Sequence, residues 1–383
     1  MSDEQRVSRR GFMGNVAGTV GALALTPDLA RWATAHRAPL PRHLAAADAY
    51  DDYAKLAYNE NPYGPPASVM KAMNEAFKYA NRYGYPDSGV LDAIAKLHGV
   101  SKEMIVLASG SGELLEAVGN TYLSAGKLVV GCDPSYGDVY QHATRIKAEA
   151  LRVPLRADHS QDIPAMIQVA NARAKDVGFV YLCNPNNPTG RTIPAAEVQQ
   201  LLDGLPAGMP VLIDEAYHHF VDDPAYATSI PAAIAGRPVI VTRTFSKIAA
   251  LAGIRLGYAI APKPMVQALQ LHMTGTLNVL AMYAGAAAMR DTDSQAKVRA
   301  ITLELRRKTT AELERRGFAV IPSETNFFMV HVRRPVRPVI DAFKAKGVLV
   351  GRPFAPMLDY LRVSVGAPEE MQRFLAAWDG VMA

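Results

Sequence analysis

Short apolar runs recur through the middle of the chain, near Ile105, Val129, Val180, Leu212, Val239 and Tyr258, and turn-forming residues bound each of them. A continuous apolar run of roughly four to eight residues between such breakers reads as a strand buried on both faces. Between these runs lie helical patterns such as 113–123 and 195–202. Strand and helix in alternation predict an α/β fold, a mostly parallel sheet with helices on both faces. After Lys263 the pattern changes to a long helix over 293–316, a strand over 326–332, a further helix and a strand around Arg362. That sequence of elements predicts a smaller α+β domain. The boundaries that follow are a signal and linker at 1–45, outside the fold, and an arm at 46–80 that also contributes to the small domain. The large domain then spans 81–270 and the small C-terminal domain 271–383.

With 383 residues and 49% hydrophobic content, the chain can bury a large core. Its 41 basic and 36 acidic residues give a net charge of +5, and six arginines against four acids in the first fifty residues supply part of that excess. No basic helix with interleaved aromatics is present, and Arg333-Arg334-Pro335-Val336-Arg337 reads as a solvated turn, so no nucleic-acid partner is expected. Cys132 and Cys183 are expected to be free core thiols. His218 and His219, read as neighbours on one strand, should point to opposite faces and share no metal. At the N-terminus, Ser8-Arg9-Arg10-Gly11-Phe12-Met13 precedes a small, apolar stretch from Asn15 to Leu25. This segment resembles a twin-arginine export signal, which implies the twin-arginine machinery as a partner and a periplasmic or exported location after folding in the cytoplasm. Its apolar run is too short and too rich in Gly and Ala for an ordinary membrane span.

The candidate chemistry gathers after the carboxyl ends of the predicted strands, where open α/β sheets bind ligands. Thr244-Phe245-Ser246-Lys247 places an amine after a strand with a hydroxyl beside it, and Arg255 follows eight positions on. An amine so placed suits condensation with an aldehyde, and the hydroxyl and guanidinium suit a phosphate; pyridoxal 5'-phosphate carries both groups. Asp214, ending Val211-Leu212-Ile213-Asp214, is the candidate partner of the pyridine nitrogen, and Tyr217 of the ring hydroxyl. Asn187, in Asn184-Pro185-Asn186-Asn187-Pro188-Thr189-Gly190, is a second donor to the ring oxygen. Ser109-Gly110-Ser111-Gly112 passes from a strand into a helix start, so Ser111 and Gly112 would offer backbone N–H groups to the phosphate. Tyr136, in Asp133-Pro134-Ser135-Tyr136-Gly137, is placed to stack on the pyridine face.

Taken in this order, the motifs resemble those of fold-type-I pyridoxal-phosphate aminotransferases, closest in pattern to the histidinol-phosphate aminotransferases, from about Leu56 to the C-terminus. The resemblance implies that 59–65, with Asn61, folds over the site as a substrate-binding arm. It also implies that Tyr85, in Arg82-Tyr83-Gly84-Tyr85-Pro86-Asp87, serves the phosphate site of a partner subunit in a homodimer. Arg362, in Tyr360-Leu361-Arg362-Val363-Ser364, would hold the substrate carboxylate or phosphate. Two departures stand out. The family's acidic residue after the Gly-Ser pair is Gly112 here, and where a second substrate arginine is expected the chain has Gly351, with Arg352 one place later.

The activity implied is transfer of an amino group between an α-amino acid, or a histidinol-phosphate-like amine, and a 2-oxo acid. The displaced Arg352 turns the expectation toward aromatic, histidine-like or other free amino acids. The shared residues activate Cα without choosing which bond breaks, so a decarboxylase or oxidase is the alternative, and a non-catalytic cofactor-binding sensor is a rival of another class.

Overall fold

The computed structural model describes residues 25–35, 49–123 and 126–383. Its strands, in chain order, are β1 (Ala54–Leu56), β2 (Ile105–Ala108), β3 (Leu128–Asp133), β4 (Glu149–Pro154), β5 (Val177–Cys183) and β6 (Val211–Asp214). They continue with β7 (Val239–Thr244), β8 (Gly257–Ile260), β9 (Val320–Ile321), β10 (Phe327–His331), β11 (Val348–Val350) and β12 (Tyr360–Ser364). Seven of them form one sheet in the order β2-β8-β7-β6-β5-β3-β4. Every pair from β7 to β4 is parallel, and β8 alone runs against both of its neighbours. The predicted mostly parallel sheet is thus present. Both faces of the central strands are covered, so β6 and β7 are buried at every position, apolar until their carboxyl ends, where Asp214 and Thr242-Arg243-Thr244 sit.

β4 escaped the sequence reading. Glu149-Ala150-Leu151-Arg152-Val153-Pro154 lies at the sheet edge with mainly polar or half-exposed positions, so it carries no continuous apolar run. The helices Ser111–Tyr122, Ala195–Gly204 and Thr292–Arg315 lie within two residues of expectation. The longest begins where Asp291 Oδ1 accepts from Ser294 N at 3.1 Å.

The C-terminal part builds an antiparallel sheet, β12-β10-β9, and a parallel pair in which β1, from the N-terminal arm, lies beside β11. Phe343, Phe374 and Trp378 pack ring on ring in its core. The sequence assigns the arm to this unit, but β1 ends 292 positions before its partner strand begins (348 − 56), so only tertiary structure shows which strand it pairs with.

Two sequence readings change. Residues 27–35, placed in a linker outside the fold, form the helix Pro27–Ala35, with Ala33 buried and Trp32 edge-on to Tyr63 at 5.6 Å. His218 and His219 lie in a 3-10 turn, His218–Phe220, and not on a strand; their rings are 3.6 Å apart rather than on opposite faces. Arg9 and Arg10 lie outside the described residues. Cys132 and Cys183 are free and buried. Among the described residues, no helix is long and apolar enough to cross a membrane.

Candidate active site

β3, β5, β6 and β7 are parallel neighbours, so their carboxyl ends open on one edge of the sheet. Asp214 is the last residue of β6, and Tyr136, Asn187 and Lys247 follow the ends of β3, β5 and β7. The pleat separates the adjacent acids Asp214 and Glu215. Glu215 is a structural ion: its Oε2 takes Arg243 Nη2 at 2.7 Å and its Oε1 takes Ser229 N at 2.6 Å, all buried. Asp214 is also buried, yet its Oδ1 receives only Thr242 Oγ1 at 3.1 Å and Ala216 N at 3.2 Å. Burial, against those two hydrogen bonds, pushes its carboxyl up to about 7. A carboxylate with so high a proton affinity suits a shared proton with a pyridine nitrogen.

Lys247 donates from Nζ to the Tyr58 carbonyl at 3.3 Å, and its ammonium lies 5.7 Å from the centre of the Tyr217 ring. Burial lowers its amine to about 8, and the Arg362 guanidinium adds to that, while Glu60 and Asp214 oppose. A free amine is the nucleophile, so cofactor capture should rise with pH and level off above about 8. Arg362→Met removes a repelling cation and should move that midpoint upward. Stopped-flow absorbance of pyridoxal phosphate added to cofactor-free protein measures both, and an unchanged midpoint in the variant would contradict the assignment.

At the other side, the helix Ser111–Tyr122 begins after Gly110 with no side-chain cap. Gly110 has φ 88°, and a Cβ there would run into the Arg255 guanidinium. A Cβ on Gly257 of β8 would lie 2.6 Å from Ser111 N. Two glycines therefore let a guanidinium and a reversed strand close on an open helix start, an anion cradle with Ser111, Gly112 and Ser246. Ser246 Oγ accepts from Thr244 Oγ1 at 2.9 Å, which directs its own proton elsewhere. Arg255 itself has φ 64° and is tied to the Ser109 carbonyl at 3.3 Å. With Gly112 in place of an acid, nothing on the second residue of the helix repels a phosphate.

Between the two ends runs a relay that the sequence did not disclose. Asn326 donates to the Asn59 carbonyl at 3.0 Å, and Asn59 Nδ2 donates to Tyr217 Oη at 3.1 Å. Asn187 Nδ2 also donates to Tyr217 Oη, at 3.2 Å, and Asn187 Oδ1 accepts from Arg362 Nη1 at 2.8 Å. Arg362 Nη2 reaches the Ala57 carbonyl at 2.7 Å, and Ser364 Oγ bonds Asn59 Oδ1 at 2.9 Å. Arm, large domain and small domain thus meet in one buried chain, with Tyr217 as its common acceptor. Burial raises the Tyr217 phenol well above its ordinary value, so it remains a neutral donor. Tyr136 is likewise raised, by burial first and then by its 2.6 Å hydrogen bond to Asp138 Oδ2.

Arg362 is buried with Nε unpartnered, and burial lowers its guanidinium to about 10. A buried donor without a partner is what an incoming oxyanion would satisfy. Phe354 lies between it and Arg352, with guanidinium carbons 4.5 Å and 4.3 Å from the ring centre. Position 351 cannot carry the family's arginine here: a Cβ on Gly351 would lie 2.8 Å from the Arg362 carbonyl and 3.2 Å from its Nε. Gly351→Ala should cost about 1–3 kcal/mol in urea unfolding through overpacking, and should displace Arg362. Unchanged stability together with unchanged substrate affinity would contradict this.

Two residues stand apart from the cluster. Asn61 spends its amide on the Ile248 carbonyl at 2.9 Å and its oxygen on Tyr63 N at 3.0 Å, so it holds the arm beside Lys247. Tyr85 lies on a loop tied to Tyr283, whose hydroxyl donates to the Pro86 carbonyl at 2.9 Å. No hydrogen bond or ring contact joins Tyr85 to Lys247, Ser246 or Arg255 among the described residues. Asn59, Asn326, Ser364 and Phe354 were missed. Asn59 and Ser364 stood within quoted motifs, while Asn326 and Phe354 carry no local signature.

The residues present fit pyridoxal phosphate: an amine of lowered pKa, a buried carboxylate, a neutral phenol, and an anion cradle at the far end. A sequence model of the family described as aminotransferase class I and II matches residues 51–377. Histidinol-phosphate aminotransferase of Symbiobacterium thermophilum is 34% identical over 85% of this chain and 90% of its own. The enzyme of that name from Maricaulis maris is 35% identical over 86% of this chain and 92% of its own. Histidinol-phosphate aminotransferase from Sinorhizobium meliloti, solved in complex with pyridoxal-5'-phosphate, superposes with a TM-score of 0.81 at 26% identity, over 94% of this chain and 97% of its own. The chain belongs to the class I and II aminotransferases and is an enzyme that uses pyridoxal 5'-phosphate to transfer amino groups.

Proposed function

We propose that the amino donor is an α-amino acid with a flat side chain, aromatic or histidine-like, and that its carboxylate binds Arg362. The observation that carries this reading is the unpartnered Nε of buried Arg362, whose guanidinium lies beside the Phe354 ring. A carboxylate seated there would leave the side chain next to Phe354. Bound pyridoxal phosphate supplies a ring that accepts the electron pair released when the bond from Cα to hydrogen breaks. Lys247, freed as an amine, carries the proton; Asp214 holds the nitrogen end of the ring, and Tyr217 and Asn187 fix the oxygen end. The relatives' names favour a second reading, histidinol phosphate, with Arg352 sharing the phosphate. A panel of histidinol phosphate, histidine and aromatic amino acids against 2-oxoglutarate, with the 2-oxo product quantified, separates the two. Turnover confined to histidinol phosphate would reject the first.

The same reading includes a homodimer in which Tyr85 serves the neighbour's phosphate site; Phe77 and Tyr83, 57% and 98% exposed, precede Tyr85 in sequence. A hybrid of Lys247→Ala and Tyr85→Ala chains should recover one intact site, and an inactive hybrid would count against sharing. Twin-arginine export, read from Arg9 and Arg10, completes the proposal. Unprocessed protein found only in the cytoplasmic fraction would sink it.

A further inference from the structure

We propose that His159 is a positioning residue for Arg362: with Tyr360 it clamps the start of β12 to the large domain and so sets the guanidinium that receives the substrate carboxylate. The proposal rests on Arg362 being the carboxylate site.

Tyr360 and Arg362 are two residues apart on β12 and therefore share a face. Each reaches a large-domain loop. Arg362 bonds Asn187, and the Tyr360 ring stands edge-on to His159 at 5.4 Å between centres, with its hydroxyl 3.4 Å from His159 Nε2. The two loops are themselves joined. Arg191 Nη2 donates to Asp158 Oδ2 at 3.1 Å, and buried Gln161 donates to the Cys183 carbonyl at 2.8 Å. On the small-domain side, His331 is the register partner of Tyr360 and stacks on it at 4.8 Å, held by Asp359 Oδ2 at 2.8 Å. One end of β12 is thus gripped between two imidazoles.

His159 adopts this place at a conformational cost, since its φ is 65°, a region that non-glycine residues rarely occupy. The turn is fixed around it: His159 N donates to the Arg156 carbonyl, Arg156 N to the Ser160 carbonyl, and Ser160 Oγ to Asp158 Oδ1 at 2.6 Å. Beside the rings lies a 230 Å³ cavity lined by Asp158, His159, Arg191, Ile321 and Tyr360. The contact therefore bridges a gap in the domain seam. Other ties hold the domains together without it, among them Glu324 N to the Gly190 carbonyl at 2.8 Å, so variants at 159 should fold.

The test is a kinetic comparison of His159→Asn, His159→Phe, Tyr360→Ala and the double variant His159→Asn with Tyr360→Ala, all as cofactor-loaded enzyme. Asparagine tolerates the left-handed backbone and lacks the ring, whereas phenylalanine keeps the ring. His159→Asn should raise KM for the amino acid about tenfold with kcat within twofold, less than the ~100-fold of a 1 Å misplacement. His159→Phe keeps the ring but strains the left-handed backbone and lacks Nε2, so it should fall between wild type and His159→Asn, and the double variant should be no worse than Tyr360→Ala, because both remove one contact. A wild-type KM in His159→Asn, or multiplying effects in the double variant, overturns the clamp. Should the wild type turn over no amino acid, the substrate proposal fails by itself. The clamp is then read as the Kd of maleate by calorimetry in the same proteins, expected to weaken in His159→Asn; absence of maleate binding to wild type, or equal affinity in both, overturns it.

Discussion

Lys247→Ala should abolish transamination, lowering kcat/KM by at least ~10³-fold, because in the role proposed for it one side chain would supply both the covalent anchor and the proton carrier. The structure offers no substitute for it. Its amine is set by burial and by Arg362, while the Tyr217 hydroxyl is tied into the relay and the Ser246 hydroxyl accepts from Thr244. Capture of the cofactor should weaken without vanishing, since Ser111, Gly112, Ser246 and Arg255 remain. Steady-state kinetics with removal of cofactor by dialysis measure both effects. Retention of even a tenth of wild-type activity would overturn the role of Lys247.

The second large effect belongs to Asp214. Replacing it with Asn keeps the shape and lets the amide oxygen accept from Thr242 and Ala216, but removes the negative charge that a ring nitrogen would need in order to stay protonated. Breaking a buried charged pair costs about 3–5 kcal/mol, a loss of roughly 10²–10⁴ in rate if it is felt mainly in the transition state. Folding should suffer little, because burial already holds this carboxyl at about 7 in the free protein and a neutral group is tolerated there. Expected is therefore a fall in kcat with a near-normal thermal midpoint. A variant that loses stability and activity in parallel would place Asp214 among the structural acids, with Glu215.

That pair shows how far a sequence can be read. Asp214 and Glu215 are adjacent at the end of the same apolar run, and the run predicts a strand end with two carboxylates. Only the pleat and the position of Arg243 decide that Glu215 is an ion-paired strut while Asp214 is left with two neutral donors. The His218-His219 reading failed for the same reason: a 3-10 turn has no alternating faces, and no local pattern distinguished it from a continuing strand. Likewise β4 was invisible because edge strands need no continuous apolar run.

What the sequence determined by itself was the set of strand ends and the groups placed on them: Lys247, Asp214, Tyr217, Asn187, Tyr136, Ser246 and the glycine-rich helix start. These are local facts, since an apolar strand followed by its turn fits within about a dozen residues, and parallel strands bring all such ends to one edge. Tertiary structure alone decided how the ends are joined. Asn59 and Ser364 are 305 positions apart, and Arg362 and Asn187 are 175 apart. Their union depends on β1 lying beside β11 and on β12 facing the large domain, neither of which leaves a mark in any short window. The same holds for Gly351, whose missing side chain is explained only by the arginine backbone pressed against it.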